Sequence, residues 1–213
     1  MKNEKPGIFI TLEGIEGVGK TSNLHFIQGL LETAGHDCVV TREPGGTNLG
    51  EALRGLLLSH SDDGMSADAE LLMMFAARAE HLAKVIRPAL AESKTVLCDR
   101  FTEATYAYQG GGRLLDVKKI SELETWVQGD LRPDLTIILD APVEIGRARA
   151  GKRSAPDRIE KEKDDFFQRV REAYINLANN NPHRICLIDA SVELVDVQKQ
   201  INEKLIDYGI LAS

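Results

Sequence analysis

The chain has 213 residues, 28% of them charged, and a formal net charge of −7. Such a length suits one domain, with at most a mobile insert, and is enough to bury a large core. The acidic balance argues against a nonspecific coat on duplex DNA, while clustered arginines could still serve a small anionic ligand.

A charged start, residues 1–6, precedes an apolar run too short for a signal peptide, and no stretch is long enough to cross a membrane. That run, residues 8–12, reads as a short buried strand. It leads into Gly14, Ile15, Glu16, Gly17, Val18, Gly19, Lys20 and Thr21, the G-x-x-x-x-G-K-[ST] spacing of a phosphate-binding loop. Leu24, Ile27, Leu30 and Leu31 then recur at helical spacing. Glycines let backbone N–H groups turn inward around phosphate oxygens, and the helix N-terminus adds positive potential. Lys20 would reach the β- and γ-phosphates, and the Thr21 hydroxyl would ligate Mg²⁺. A glycine-rich turn with no ligand is the bland alternative; the strand before and the helix after weigh against it.

Four more apolar runs, residues 38–41, 95–98, 135–139 and 184–188, alternate with helical patterns. Alternation of this kind predicts an α/β fold with a parallel sheet and helices on both faces. The runs end beside Glu13, Arg42, Asp99, Asp140 and Asp189, and ligands of open α/β sheets gather at such carboxyl ends. Asp140 and Asp189 read as caps or turn residues. Cys38, Cys98 and Cys186 lie in these runs without metal-ligand spacing, as buried thiols of a reducing cytosol would.

After the second run, Pro44, Gly45 and Gly46 force a turn. Leu49, Leu53, Leu56 and Leu57 form an apolar stripe with Arg54 on or beside it, either a solvated charge or a ligand. A long helix is expected from Ala67 to about Glu92, bent at or before Pro88. Within it Arg78 is flanked by Ala76, Ala77 and Ala79, which leaves room for its fork of donors or for snorkelling at the core edge. Tyr106, Tyr108, Gln109 and Gly110 to Gly112 suggest a cleft wall with a sharp turn, or a flexible loop. A helix over 116–128 would bury Trp126. Past a helix carrying Arg147 and Arg149, residues 151–158 are dense in cations, as a solvated loop or as a lid closing over phosphates. Long helices are expected over 158–179 and 192–207.

A phosphate loop alone does not separate a kinase from a GTPase switch or a motor. The chain has no guanine-reading Asn/Thr-Lys-x-Asp run, and it is short and acidic. A second set of cationic and aromatic residues at other strand ends favours a second small substrate, hence a small kinase. Here the chain resembles thymidylate kinases, which make dTDP from dTMP. The resemblance spans nearly the full length. It is carried by Leu12-Glu13-Gly14, residues 41–47, Ala76-Ala77-Arg78, Asp99-Arg100-Phe101, residues 108–113 and residues 157–160. It is similar to the bacterial subtype, with lid arginines rather than one inside the loop.

The resemblance implies a P-loop NTPase-type five-stranded parallel sheet flanked by helices on both faces, with a lid over roughly residues 147–158. It implies ATP as donor, Mg²⁺, a cytoplasmic homodimer, and no nucleic-acid or membrane partner. Residues 14–21 would hold the ATP phosphates, Arg54 and Arg100 the dTMP phosphate. Glu43 and Pro44 would lie beside sugar and phosphate. Arg78 would donate to the base, Thr105 satisfy another ring edge, Tyr108 pack under the deoxyribose and Gln109 line the site. Asp99 would position Mg²⁺ or the arginines, and Arg153 would meet the transferring group, with Arg147 and Arg149 as competitors. Where relatives commonly carry a stacking phenylalanine this chain has Met74, with Phe75 beside it. A ring stacks better, which favours Phe75. Ala104 replaces a frequent serine. The alternatives are another nucleoside monophosphate kinase or a P-loop switch.

Overall fold

The computed structural model describes residues 7–59, 64–150 and 157–212. Five strands form one parallel sheet: β1 Phe9–Glu13, β2 Cys38–Arg42, β3 Thr95–Asp99, β4 Leu135–Asp140 and β5 Ile185–Asp189. Their spatial order is β2-β3-β1-β4-β5. All five residues of central β1 are buried, whereas edge strand β2 has none buried. Strands covered on both faces need continuous apolar runs, which is why β1 and β4 read so clearly in sequence. Along β1, Ile10 and Leu12 pack into one cluster and Phe9 into another, as the two-residue period of a strand requires.

The helices are α1 Lys20–Thr33, α2 Asn48–Leu58, α3 Ala67–His81, α4 Arg87–Ala91, α5 Thr102–Thr105, α6 Val117–Gln128, α7 Val143–Ala150, α8 Asp164–Asn180 and α9 Leu194–Asp207. The larger cluster takes Leu24, Ile27 and Leu31 from α1, Phe166, Phe167, Val170 and Tyr174 from α8, and Val197, Ile201 and Leu205 from α9. Thr47, Ser66 and Asp116 cap α2, α3 and α6 by accepting from N–H groups of the first turn. Among the described residues, no helix is long and apolar enough to cross a membrane.

Between α3 and α4 the helix widens into a π-helical turn, Leu82–Ile86, where Arg87 N–H reaches Leu82 O. Pro88 follows at once. It has no N–H to give and its ring crowds the carbonyl four residues back, so the looser turn accommodates it. The irregular turn thus falls just before Pro88, where the sequence leads one to expect a disturbed helix.

Three expectations fail. Trp126 is 82% exposed, because the buried stripe of α6 is set by Ile120, Glu124 and Gln128 on another face. Gly110 to Gly112 make neither a sharp turn nor a loop. They end a second π-helical segment, Tyr106–Gly112, that packs closely on α8. Finally, α8 begins at Asp164 rather than Arg158. Asp157 Oδ1 accepts from the N–H groups of Ile159 and Glu160, holding a turn ahead of the helix. Asp140 pairs with Arg171 through two bonds of 2.7 and 2.8 Å, and Asp189 caps the turn at Ser191, so neither joins the site. Cys98 and Cys186 are buried free thiols and Cys38 is half-buried.

A methyl group added at Gly111 would stand 2.8 Å from Ala173 Cβ and 2.9 Å from Arg169 O, the second a backbone atom of α8. Gly111→Ala is therefore expected to lower stability by about 1–3 kcal/mol, read by urea or thermal unfolding. An unchanged midpoint would mean that this helix contact is slack.

Candidate active site

The chemistry sits at the carboxyl ends of β1 and β3, adjacent strands in which Leu12 pairs with Asp99. Residues 14–19 turn tightly out of β1 into α1. Gly17 has φ 77°, and a Cβ there would lie 1.9 Å from Gly146 O, so only glycine lets the loop pass α7. Lys20 folds back over the loop, its Nζ donating to Gly14 O and Ile15 O at 2.8 Å each. Burial, helped by Arg100, pushes the Lys20 ammonium down to about 8, against the pull of Glu16 and Asp99.

Two cavities open here. One is lined by Gly17, Gly19, Lys20, Thr21 and Asp99, together with Glu160. The other is lined by Glu43, Pro44, Leu57, Met74, Tyr108, Gln109 and Ile159. Glu16, Arg54 and Arg100 line both. Arg100 donates to Glu16 at 2.7 Å, and the Tyr108 hydroxyl donates to the same carboxylate at 2.9 Å. Arg54 donates to Pro44 O at 3.1 Å, while burial and the like charges of Arg42 and Arg100 lower its pKa. Crowded cations of this kind fit an anion between them.

Behind the second cavity Arg78 is fully buried. Its Nε donates to Glu43 at 2.7 Å, its Nη2 to Phe101 O and to Thr105 Oγ1 at 3.0 and 2.9 Å. The guanidinium lies between the rings of Phe75 and Phe101, 4.8 and 5.0 Å from their centroids. Its Nη1 has no hydrogen-bond partner among the described residues. Arg78 thus does not snorkel. Phe75 is a correction: it packs with Leu71 and Ile120 against α6 and under Arg78, and Met74 lines the cleft instead. One helical step of about 100° separates the two, and here it turns Met74 to the opening and Phe75 to α6. Thr105 is fully buried and holds Arg78 rather than lining the cavity.

Sequence reasoning missed several members. His81 bridges Glu43 and Thr41 at 3.0 and 2.7 Å. Glu70, also buried, accepts from Gln109 and Arg158 at 2.7 and 2.6 Å and pairs with Arg113 at 3.3 Å. Burial opposes its ionisation, yet these donors hold its carboxyl below the usual range. Glu70, Met74, Arg78 and His81 recur at steps of four, four and three on α3, one helix face; the three polar members of that stripe were the available signal. Glu13 is buried too, accepting from Phe101 N–H at 2.7 Å and Tyr174 O–H at 2.8 Å. Arg147 pairs with Asp164 and donates to Glu162 O, and Arg149 donates to Ala190 O at 2.8 Å, so both are engaged away from the cavities. Arg153 lies outside the described residues.

Against known proteins, residues 12–201 match the family model described as thymidylate kinase. The chain belongs to the thymidylate kinase family. It is 58% identical to the thymidylate kinase of Pseudomonas putida over 93% of this chain and 95% of that one. It is 57% identical to that of Pseudomonas syringae pv. tomato over the same shares. A solved thymidylate kinase from Ehrlichia chaffeensis superposes with a TM-score of 0.75 at 37% identity, covering 94% of this chain and 99% of that one. The sheet with its flanking helices is accordingly the P-loop NTPase fold of thymidylate kinases.

Glu13 gives this kinase a pH-dependent term. Burial first, then the charge of Glu103, raise its carboxyl from 4.5 to about 8. Between these values the native state keeps a proton that the unfolded chain has released. Its contribution to stability is therefore full below 4.5 and lost as pH rises through about 8. Glu13→Gln should gain stability relative to the parent across that window and hold a constant advantage above it, read by urea unfolding at several pH values. Parallel pH curves would show a normal carboxyl.

Proposed function

We propose that this thymidylate kinase carries out its reaction, transfer of the γ-phosphoryl of ATP to dTMP giving dTDP and ADP, across the wall shared by its two cavities. The carrying observation is that Glu16, Arg54 and Arg100 line both. Residues 14–21 hold the ATP phosphates in the first. The second takes dTMP, with Arg54 and Arg100 on its phosphate and Glu43, Pro44, Tyr108 and Gln109 around sugar and base. Arg78 stands behind the base. An unpartnered buried N–H is costly, and a ring carbonyl entering the cleft would relieve it.

The acceptor is a phosphate oxygen already ionised near neutral pH, so no strong general base is needed and Asp99 is not cast as one. The barrier lies in bringing two anions together and spreading the charge of the transferring group. Lys20 and Arg100, preset by their hydrogen bonds, meet that charge without reorganising. Arg153, outside the described residues, is the further cation that this reading assigns to the same charge. Thr21 and Asp99 suit Mg²⁺. Both offer hard oxygen donors in the phosphate cavity, and Asp99 Oδ1 is buried without a hydrogen-bond partner among the described residues. Among those residues no cluster of three or more acidic, His or Cys side chains stands ready to hold a metal, which fits an ion bound largely through substrate phosphates. When bound, Mg²⁺ would neutralise phosphate charge.

The protein acts as one catalytic unit with its lid, in the cytoplasm, where three free cysteines persist. It works as a homodimer through a second copy of its α3–α6 face. There Leu72 and Trp126 are exposed beside Leu71 and Leu123, with Leu49 and Leu56 exposed on neighbouring α2.

A coupled ADP assay over dTMP, dUMP, dGMP and CMP should show turnover that needs an acceptor and is fastest with dTMP. Acceptor-independent hydrolysis would favour a nucleotide switch. In the same assay Lys20→Ala should nearly abolish transfer while calorimetry still finds dTMP binding. Arg78→Ala should cut kcat/KM for dTMP about a hundredfold with little change for ATP, and Arg153→Ala should lower kcat by roughly 10²–10³.

For the assembly, light scattering should give twice the chain mass, and Trp126→Asp should halve it. A dimer indifferent to that change would place the interface elsewhere.

A further inference from the structure

Glu13 lines neither cavity, yet it is the last residue of β1 and touches three working parts. It precedes Gly14 of the phosphate loop. Its Oε1 accepts from Phe101 N–H at 2.7 Å, immediately after Arg100. Its Oε2 accepts from Tyr174 of α8 at 2.8 Å. A fully buried carboxyl is costly to keep, and the transfer itself does not use this one.

Arg100 explains it. Its φ is 66°, in the left-handed region that residues with a Cβ avoid. Three ties surround that conformation. Arg100 N–H donates to Leu12 O at 3.0 Å, the Cys98 thiol donates to Arg100 O at 3.0 Å, and Phe101 N–H donates to Glu13. The thiol is a weak donor, so of the two side-chain ties on the peptide that follows Arg100 the Glu13 carboxyl is the stronger. Without it, the peptide joining Arg100 to Phe101 keeps only the weak thiol bond at Arg100 O, the strain at Arg100 can relax, and the guanidinium is drawn off Glu16 and the shared wall.

We infer that Glu13 is a positioning residue: by holding the Phe101 amide it keeps Arg100 left-handed and aims its guanidinium at the wall between the two cavities. This rests on the reading of Arg100 as a cation for the dTMP phosphate. What matters is an acceptor oxygen at the right reach, not its charge. Gln keeps that oxygen on a side chain that cannot ionise; Asp keeps the carboxyl and withdraws the oxygen by one methylene.

Glu13→Gln, Glu13→Asp and Tyr174→Phe are therefore assayed beside the parent protein, with thermal unfolding confirming that each is folded. Glu13→Gln and Tyr174→Phe should stay within about threefold in kcat/KM for dTMP. Glu13→Asp should lose about 10–100-fold there, with KM for ATP within about threefold. The inference is overturned if Glu13→Asp matches the parent, if Glu13→Gln falls as far as Glu13→Asp, or if the loss falls equally on ATP. Should Glu13→Asp not fold, replacing Phe101 by its α-hydroxy analogue removes the N–H alone. The same selective loss is expected, and parental kinetics there would overturn the idea. Arg100→Ala separates the two readings: if it spares dTMP kinetics, the role of Arg100 is wrong, whatever Glu13 does.

Discussion

Parallel pairing of β1 with β3 is the constraint on which the site depends. It sets Leu12 opposite Asp99, and so brings the phosphate loop and Arg100 together although Gly14 and Arg100 are 86 residues apart in sequence. Neighbouring strands lie about 4.8 Å apart, so groups leaving the two strand ends start out side by side. In a parallel sheet both chain exits emerge on the same edge, so tools from different strands converge there. The same burial that makes these strands uniformly apolar also makes that edge rigid.

On this frame an acidic protein assembles a cationic centre. Nearly every arginine near the cavities leans on a carboxylate: Arg100 on Glu16, Arg78 on Glu43, Arg113 and Arg158 on Glu70. The net charge of −7 is thus compatible with anion binding, since the acids serve as local supports for the cations. Removing one partner of a buried pair of this kind commonly costs about 3–5 kcal/mol, because the other charge is left stranded. The supports are consequently as demanding as the groups they hold.

Much of this was legible in sequence where one residue type has one physical use. Gly17 must be glycine beside Gly146 O, and the runs of β1 and β4 must be apolar when covered twice. The irregular turn before Pro88 follows from a missing N–H. Legibility ended where the answer depended on which way a face turns. Met74 and Phe75 are equally apolar neighbours, and only the packing against Ile120 decides between them. Trp126 is expected in the core from sequence, yet its place on α6 leaves it outside. Glu70 and His81 look like ordinary helix polars until the tertiary fold brings Gln109, Arg158 and Glu43 to them.

The π-helical segment Tyr106–Gly112 has a consequence for how this protein can change over time. A π turn is an α-helix that has absorbed extra chain without breaking. Tyr108 and Gln109, next to each other in sequence, both line one cleft on it. Deleting a single residue from the segment would remove the absorbed chain and return it to α-helical spacing, so the change falls on the segment itself, where Tyr108 and Gln109 share the cleft. The segment should therefore resist both a change in its length and any side chain at Gly111 or Gly112, where α8 leaves no room for a Cβ.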